Sequence, residues 1–228
     1  PNYQLVVNMA GELVETSVDN GDGTFTYNVP VREGYTWSDG SPITANDWQF
    51  TFDTVKGLSL GGNFLSAYPY LCEADDGSSK NCVVSVVATD DYTVSVTFNY
   101  DPGLSTWQYG TAQGPAFSKA YWESIATDKE SLYAHDAINA PVASAFVYDK
   151  LEQGAFYTWA YDPNTMYYGG TTTIYPGGTE FSWDNGKAPA IDVSFGDTSG
   201  ESFSYENGPF VGTVEFTLYS DQDAAYLA

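Results

Sequence analysis

Positive charge is scarce in this chain of 228 residues: seven Lys and Arg stand against 30 Asp and Glu, a formal net charge of −23. A field of that sign repels phosphate backbones and anionic lipid headgroups, which excludes nucleic acid and charged membrane surfaces as partners. It leaves two uses for the acidity: a strongly hydrated surface, or an acidic face that docks a basic partner. Histidine is nearly absent. His135 lies in Tyr-Ala-His-Asp, with no nearby Cys or Ser elbow that would make it a general base. There is no Gly-x-Ser-x-Gly elbow, no phosphate loop and no helical pair of metal ligands. With so many carboxylates a glycosidase-like pair could always be drawn, but spacing alone does not support one. No catalytic residue, cofactor or metal set is therefore assigned, and the chain is read as non-enzymatic. No apolar run approaches the roughly 18 residues a membrane-crossing helix needs. No secretory signal is visible, and the chain opens on Pro1 rather than Met, as a processed N-terminus would.

Cysteine is limited to Cys72 and Cys82, which flank the polar stretch Glu73 to Asn81. A bond between them would staple a hairpin-like excursion in an oxidising compartment. Free thiols are the alternative. A metal site would have to recruit Glu73, Asp75 and Asp76, poor companions for thiolate-seeking metals.

Aromatic side chains are abundant instead, with 19 Tyr, 13 Phe and 6 Trp, and the length suits one large or two small domains. From Phe25 to Val31 apolar residues fall on every second position, which predicts a strand, with Pro30 marking an edge or bulge. The preceding Asp19 to Gly23 (DNGDG) reads as a plain turn rather than a calcium loop, because glycines stand where ligands would be needed. Thr44 and Asp47 form a capping-box start for a helix over 45–56, with Trp48, Phe52 and Val55 on one face. Residues 83–99 read as an antiparallel hairpin around Thr89-Asp90-Asp91. Residues 100–122 read as loop and short helix, and 120–133 as weakly periodic helix. Short β-like runs follow from Phe146, ending in a strand over 213–219. Ser220 to Asp223 then starts a further helix, and the chain stops about two turns into it; short unsupported helices are marginal, so a longer protein is expected.

The stretch Phe25 to Phe52 (FTYNVPVREGYTWSDGSPITANDWQFTF) resembles the signature region of family 5 extracellular solute-binding proteins. The matching positions are Arg32, Gly34, Trp37, Asp39, Gly40, Pro42, Thr44, Ala45 and Asp47. Trp48 departs from the small β-branched residue usual there. Val86 to Phe98 is similar to the family's hairpin, and Pro141 to Phe146 to a Gly-rich segment in which Ala143, Ala145 and Phe146 replace expected Gly or Pro. Tyr161 to Asn164 with Tyr167 and Tyr168 loosely match a further family motif. The signature itself is turn and cap chemistry, which builds the fold without touching ligand.

The resemblance implies an α+β fold: mixed sheets with peripheral helices, as in lobe I of a type II periplasmic binding protein, the second lobe being absent. Residues 1–30 and 140–228 would form the main part of that lobe and 31–139 an inserted subdomain. The implied function is an extracytoplasmic receptor, periplasmic or on the cell surface, delivering peptides or oligosaccharides to the permease subunits of an ABC importer. A membrane anchor could be supplied by a segment outside this chain. A cell-surface structural or assembly protein that keeps the fold without transport is the alternative. An extracellular hydrolase is weaker, for want of a catalytic constellation. Aromatic faces and a few polar groups are what such clefts use. Trp107 and Tyr109, in a Gly- and Pro-rich stretch, and Ser144 and Phe146, in the segment that by resemblance returns toward the cleft, are the candidate ligand-binding residues.

Overall fold

The alternation of Phe25, Tyr27, Val29 and Val31 needs a partner strand of the same period, and Val94, Val96 and Phe98 provide it. In the computed structural model, which describes residues 9–167 and 169–221, strand β2 (Phe25–Pro30) pairs antiparallel with β4 (Thr93–Phe98), setting Tyr27 opposite Val96 and Val29 opposite Val94. β4 pairs in turn with β3 (Val83–Asp90), and a two-residue β1 (Val18–Asp19) borders β2 at Phe25 and Thr26. The sheet order is β1-β2-β4-β3. Pro30 lies beyond the reach of β1, where its missing N–H leaves no gap in the ladder. Helix α1 (Ala45–Gly57) packs on β3 and buries Phe52 and Val55. Its start is fixed by Asp47, whose Oδ2 accepts from the Thr44 N–H at 2.8 Å.

These elements belong to a first unit, residues 9–33 with 42–135. It also holds the short helices α2 (Asn63–Ala67), α3 (Gly103–Gln108), α4 (Lys119–Trp122) and α5 (Lys129–Ala134). The expected helix over 120–133 is thus two pieces, because Asp128 caps a new start by accepting from the Ser131 N–H. Cys72 and Cys82 are bonded, with Cα atoms 5.1 Å apart, and the loop they close is an antiparallel excursion with Glu73 bridged to Ser79. At DNGDG, Asp19 and Asp22 accept from the backbone N–H groups of Gly21 and Thr24, which makes them turn residues.

The second unit is residues 34–41 with the described part of 136–221. Its first sheet has the order β11-β6-β5, from β5 (Phe146–Glu152), β6 (Phe156–Tyr161) and β11 (Thr213–Thr217). Its second has the order β10-β7-β8-β9, from β7 (Thr171–Ile174), β8 (Gly177–Trp183), β9 (Ile191–Asp197) and β10 (Phe203–Glu206). Register puts Ile174, Phe181, Val193 and Tyr205 on one face and Thr173, Glu180, Ser194 and Ser204 on the other, the period-2 segregation of an amphipathic sheet. The signature turn belongs here. Trp37 is buried, Gly40 at φ +84° takes the left-handed turn position, and Asp39 accepts from the Ser41 N–H and hydroxyl. Ser38 N–H donates to the Val142 carbonyl at 3.0 Å.

This division departs from the grouping read in the sequence. Because β2 pairs with β4, residues up to 33 join 42–135 rather than 140–228, and eight residues of the signature cross to the second unit. The expected terminal helix and Tyr168 lie outside the described residues.

Candidate functional site

In the first unit, α3 carries Trp107 into the core. Its ring stacks on Tyr27 with centroids 4.1 Å apart and meets Phe98 edge-on. Its Nε1–H donates to the Val14 carbonyl at 2.7 Å, tying the chain's early residues to the sheet. Trp107 is 3% exposed and Tyr109, two residues on, is 60% exposed. Two positions apart at the end of α3, the two side chains point to opposite sides, one ring inward and one to solvent. Trp107 also walls a cavity of about 420 Å³ together with Val31, Val86, Val94, Val96 and Tyr68. Burial pushes the Tyr68 hydroxyl well above the usual phenol range, and it donates to the Pro115 carbonyl at 2.8 Å. Among the described residues around this cavity, Glu12 is the one charged side chain.

In the second unit, Phe146 begins β5 and meets Tyr161 at 6.2 Å between ring centroids. Ser144 accepts from the Phe146 N–H at 3.3 Å, shaping the entry to the strand. Strand alternation places Tyr148, Tyr157, Trp159 and Phe216 on the same sheet face as Phe146. Tyr157 lies parallel to Tyr148 at 6.3 Å and to Phe216 at 4.7 Å, so three strands contribute one row of rings. This face is half-open, with Tyr161 37% and Phe216 45% exposed. Trp159 Nε1 is buried without a hydrogen-bond partner among the described residues. Flat, partly exposed rings in a row offer area to an amide plane or a sugar ring, and phenol hydroxyls add orientation.

The four expected residues thus fall as two pairs, Trp107 and Tyr109 in one unit and Ser144 and Phe146 in the other. Sequence reasoning missed Tyr148, Tyr157, Trp159 and Phe216. The period-2 aromatic pattern in Phe156 to Tyr161 was the signal available for Tyr157 and Trp159, whereas Tyr148 and Phe216 join them only through the pairing of β6 with β5 and with the distant β11. His135 hydrogen-bonds Tyr121 through Nε2 at 3.0 Å and sits edge-on to Trp122, an aromatic packing role. Among the described residues no group of three or more His, Cys, Asp or Glu is placed to hold a metal, and no helix is long and apolar enough to cross a membrane.

Comparison with known proteins places this arrangement. Residues 8–193 match the family described as bacterial extracellular solute-binding proteins, family 5 middle. The dipeptide-binding protein DppE of Bacillus subtilis is 37% identical over 91 residues, which is 38% of this chain and 16% of that protein. Among solved structures, the ABC transporter substrate-binding protein CtaP of Listeria monocytogenes is similar with a TM-score of 0.51 at 20% identity, over 94% of this chain and 33% of that one. The binding protein AgaA of A. tumefaciens, solved with agropinic acid, is similar with a TM-score of 0.50 at 13% identity, over 97% of this chain and 34% of that one. At these identities the two structures speak for the fold, an α+β arrangement of several sheets with few helices. The chain spans about a third of their length. With more than half of its residues matched, the chain belongs to the family 5 bacterial extracellular solute-binding proteins.

Proposed function

We propose that this chain forms part of the first lobe of an extracytoplasmic receptor that binds peptides and hands them to the permease subunits of an ABC importer, without covalent chemistry. The family match over residues 8–193 carries this reading, and the dipeptide-binding relative favours peptide over oligosaccharide as cargo. The aromatic row Tyr148, Tyr157 and Phe216, continued by Phe146 and Tyr161, is the surface suited to the cargo, with Ser144 shaping the entry to its first strand. Peptide amide planes stack on such rings, and side chains find apolar area between them.

Isothermal titration of the chain with mixed-sequence di- to pentapeptides, and separately with malto- and cello-oligosaccharides, tests it. Peptides are expected to bind, and Phe146→Ala to weaken them about tenfold, or roughly 1.4 kcal/mol. Sugar binding without peptide binding would overturn the peptide reading. Binding of neither would favour an assembly protein that keeps the fold.

A further inference from the structure

The cavity in the first unit is not used by the proposed cargo face, and it is large. It opens to solvent past Glu12, Leu13, Ala112 and Gln113, and ligand pockets begin near about 300 Å³. At about 420 Å³ this one is of ligand size. Its floor is the valine face of the sheet, Val31, Val94 and Val96, all buried. Trp107 and Tyr68 add aromatic walls whose own polar atoms are already satisfied, by the carbonyls of Val14 and Pro115.

Two further observations select the chemistry of an occupant. No cationic side chain lines the cavity among the described residues, Glu12 does, and the chain carries a net charge of −23; an anion entering would meet repulsion and lose its hydration without a counter-ion. Gln108 lines the cavity at 8% exposure, and its Nε2 has no hydrogen-bond partner among the described residues. Buried amide groups ordinarily find partners. A half-turn about χ3 exchanges the amide oxygen and nitrogen, so the side chain can present either a donor or an acceptor to a ligand amide.

We propose that the first unit carries its own binding pocket for a neutral amide bearing an aromatic or branched apolar group, about the size of one capped amino acid. The apolar group occupies the space between the valine floor and Trp107, and its amide pairs with Gln108. The pocket is built wholly from the first unit and does not depend on the peptide-receptor reading, whose test variant Phe146→Ala lies in the other unit.

The experiment is a titration of the 228-residue chain with N-acetylphenylalaninamide, with its anionic counterpart N-acetylphenylalanine, and with toluene. The amide is expected to bind one to one and the acid at least about tenfold more weakly. Val96→Phe fills the floor and is expected to abolish binding of all three with the melting temperature kept or raised. Should that variant fail to fold, Ala112→Trp, at an exposed lining position, obstructs the cavity instead. Gln108→Leu is expected to weaken the amide at least about fivefold while leaving toluene unchanged, a split that a general loss of structure would not produce. Equal binding of acid and amide, binding that survives both obstructing variants, or no binding of the amide would each overturn the proposal.

Discussion

Asp47 is the residue on which the signature's contribution to stability can be measured. Its side chain is 3% exposed and joins two parts of the first unit. Oδ2 accepts from the Thr44 N–H at 2.8 Å, closing the start of α1, and Oδ1 accepts from the Lys119 N–H at 2.7 Å, holding the start of α4 against it. Thr51 reinforces the same junction: its hydroxyl donates to the Asp47 carbonyl and accepts from the Phe117 N–H. Hydrogen bonds to a charged group contribute about 1.5–3 kcal/mol each, and leaving a buried donor unpaired costs a similar amount. Asp47→Ala removes two acceptors at once, so the expected loss is about 3 kcal/mol after water partly replaces them. At about 2–4 °C per kcal/mol for a chain of this length, the melting temperature should fall roughly 6–12 °C. Asp47→Asn keeps one good acceptor and should fall in between. Asp39→Ala is the control, because Asp39 is exposed and holds only the local Ser41 turn; it should cost under about 1 kcal/mol. Thermal denaturation followed by circular dichroism gives the magnitudes, and hydrogen exchange gives the location. The Thr44 and Lys119 amides should lose protection in Asp47→Ala but not in Asp39→Ala. A melting temperature within about 1 °C of the parent, or unchanged exchange at Lys119, would refute the reasoning.

Three more outcomes follow from the same structure. Opening the Cys72–Cys82 bond by Cys→Ser at both positions should destabilise the first unit by about 2–3 kcal/mol, the loop-closure entropy of a short loop, read as a lower denaturant midpoint; no change would show that the excursion is ordered without it. Hydrogen bonds from Ser and Thr hydroxyls and backbone N–H groups hold the carboxyls of Asp22, Asp76 and Asp197 below the usual aspartate range, and backbone then hydroxyl donation from Ser131 does the same for Asp128. A depressed folded pKa gives stability that is present above the unfolded value, near 3.9, and lost as pH falls through the folded one; with net-charge repulsion screened in about 0.5 M NaCl, melting temperature should drop below about pH 4, and a steady rise into acid would contradict it. Gly170 sits at φ +73°, where an added Cβ would stand 2.1 Å from the Ser182 carbonyl oxygen. Gly170→Ala should therefore cost more than about 2 kcal/mol through backbone displacement at the start of β7, measured by urea unfolding of the second unit; a neutral substitution would mean the strand entry rearranges freely.

The parts of the fold legible in the sequence are those in which local pattern and tertiary partner agree. Helix α1 combined a cap, a face of Phe52 and Val55, and a glycine stop within 13 residues, and it forms over Ala45–Gly57. The 83–99 hairpin needed only two alternating runs and an Asp-rich turn, where Tyr92 N–H donates to Asp90. The helix read over 120–133 breaks in two because Asp128 offers a stronger local cap than the weak periodicity could resist. For the candidate site, Trp107 was visible as an aromatic in a Gly- and Pro-rich stretch and Phe146 through the family resemblance of its segment, but their surroundings were not. Phe216 reaches Tyr157 across a strand pairing of distant segments, and one alternating strand looks the same whether its apolar side meets a core, a cavity or solvent.

The sequence by itself determined the family, through the spaced turn and cap residues from Arg32 to Asp47, because tight turns and helix starts demand particular residues whatever surrounds them. It also determined the strong acidity and the poverty in catalytic side chains. Only tertiary structure decided that β2 joins β4, that residues 34–41 leave the first unit for the second, that Trp107 turns inward while Tyr109 faces water, and that a valine face and a buried glutamine enclose a cavity. Those outcomes depend on which distant strands pair and how their side chains pack, and non-local pairing leaves no mark in the local pattern of either partner.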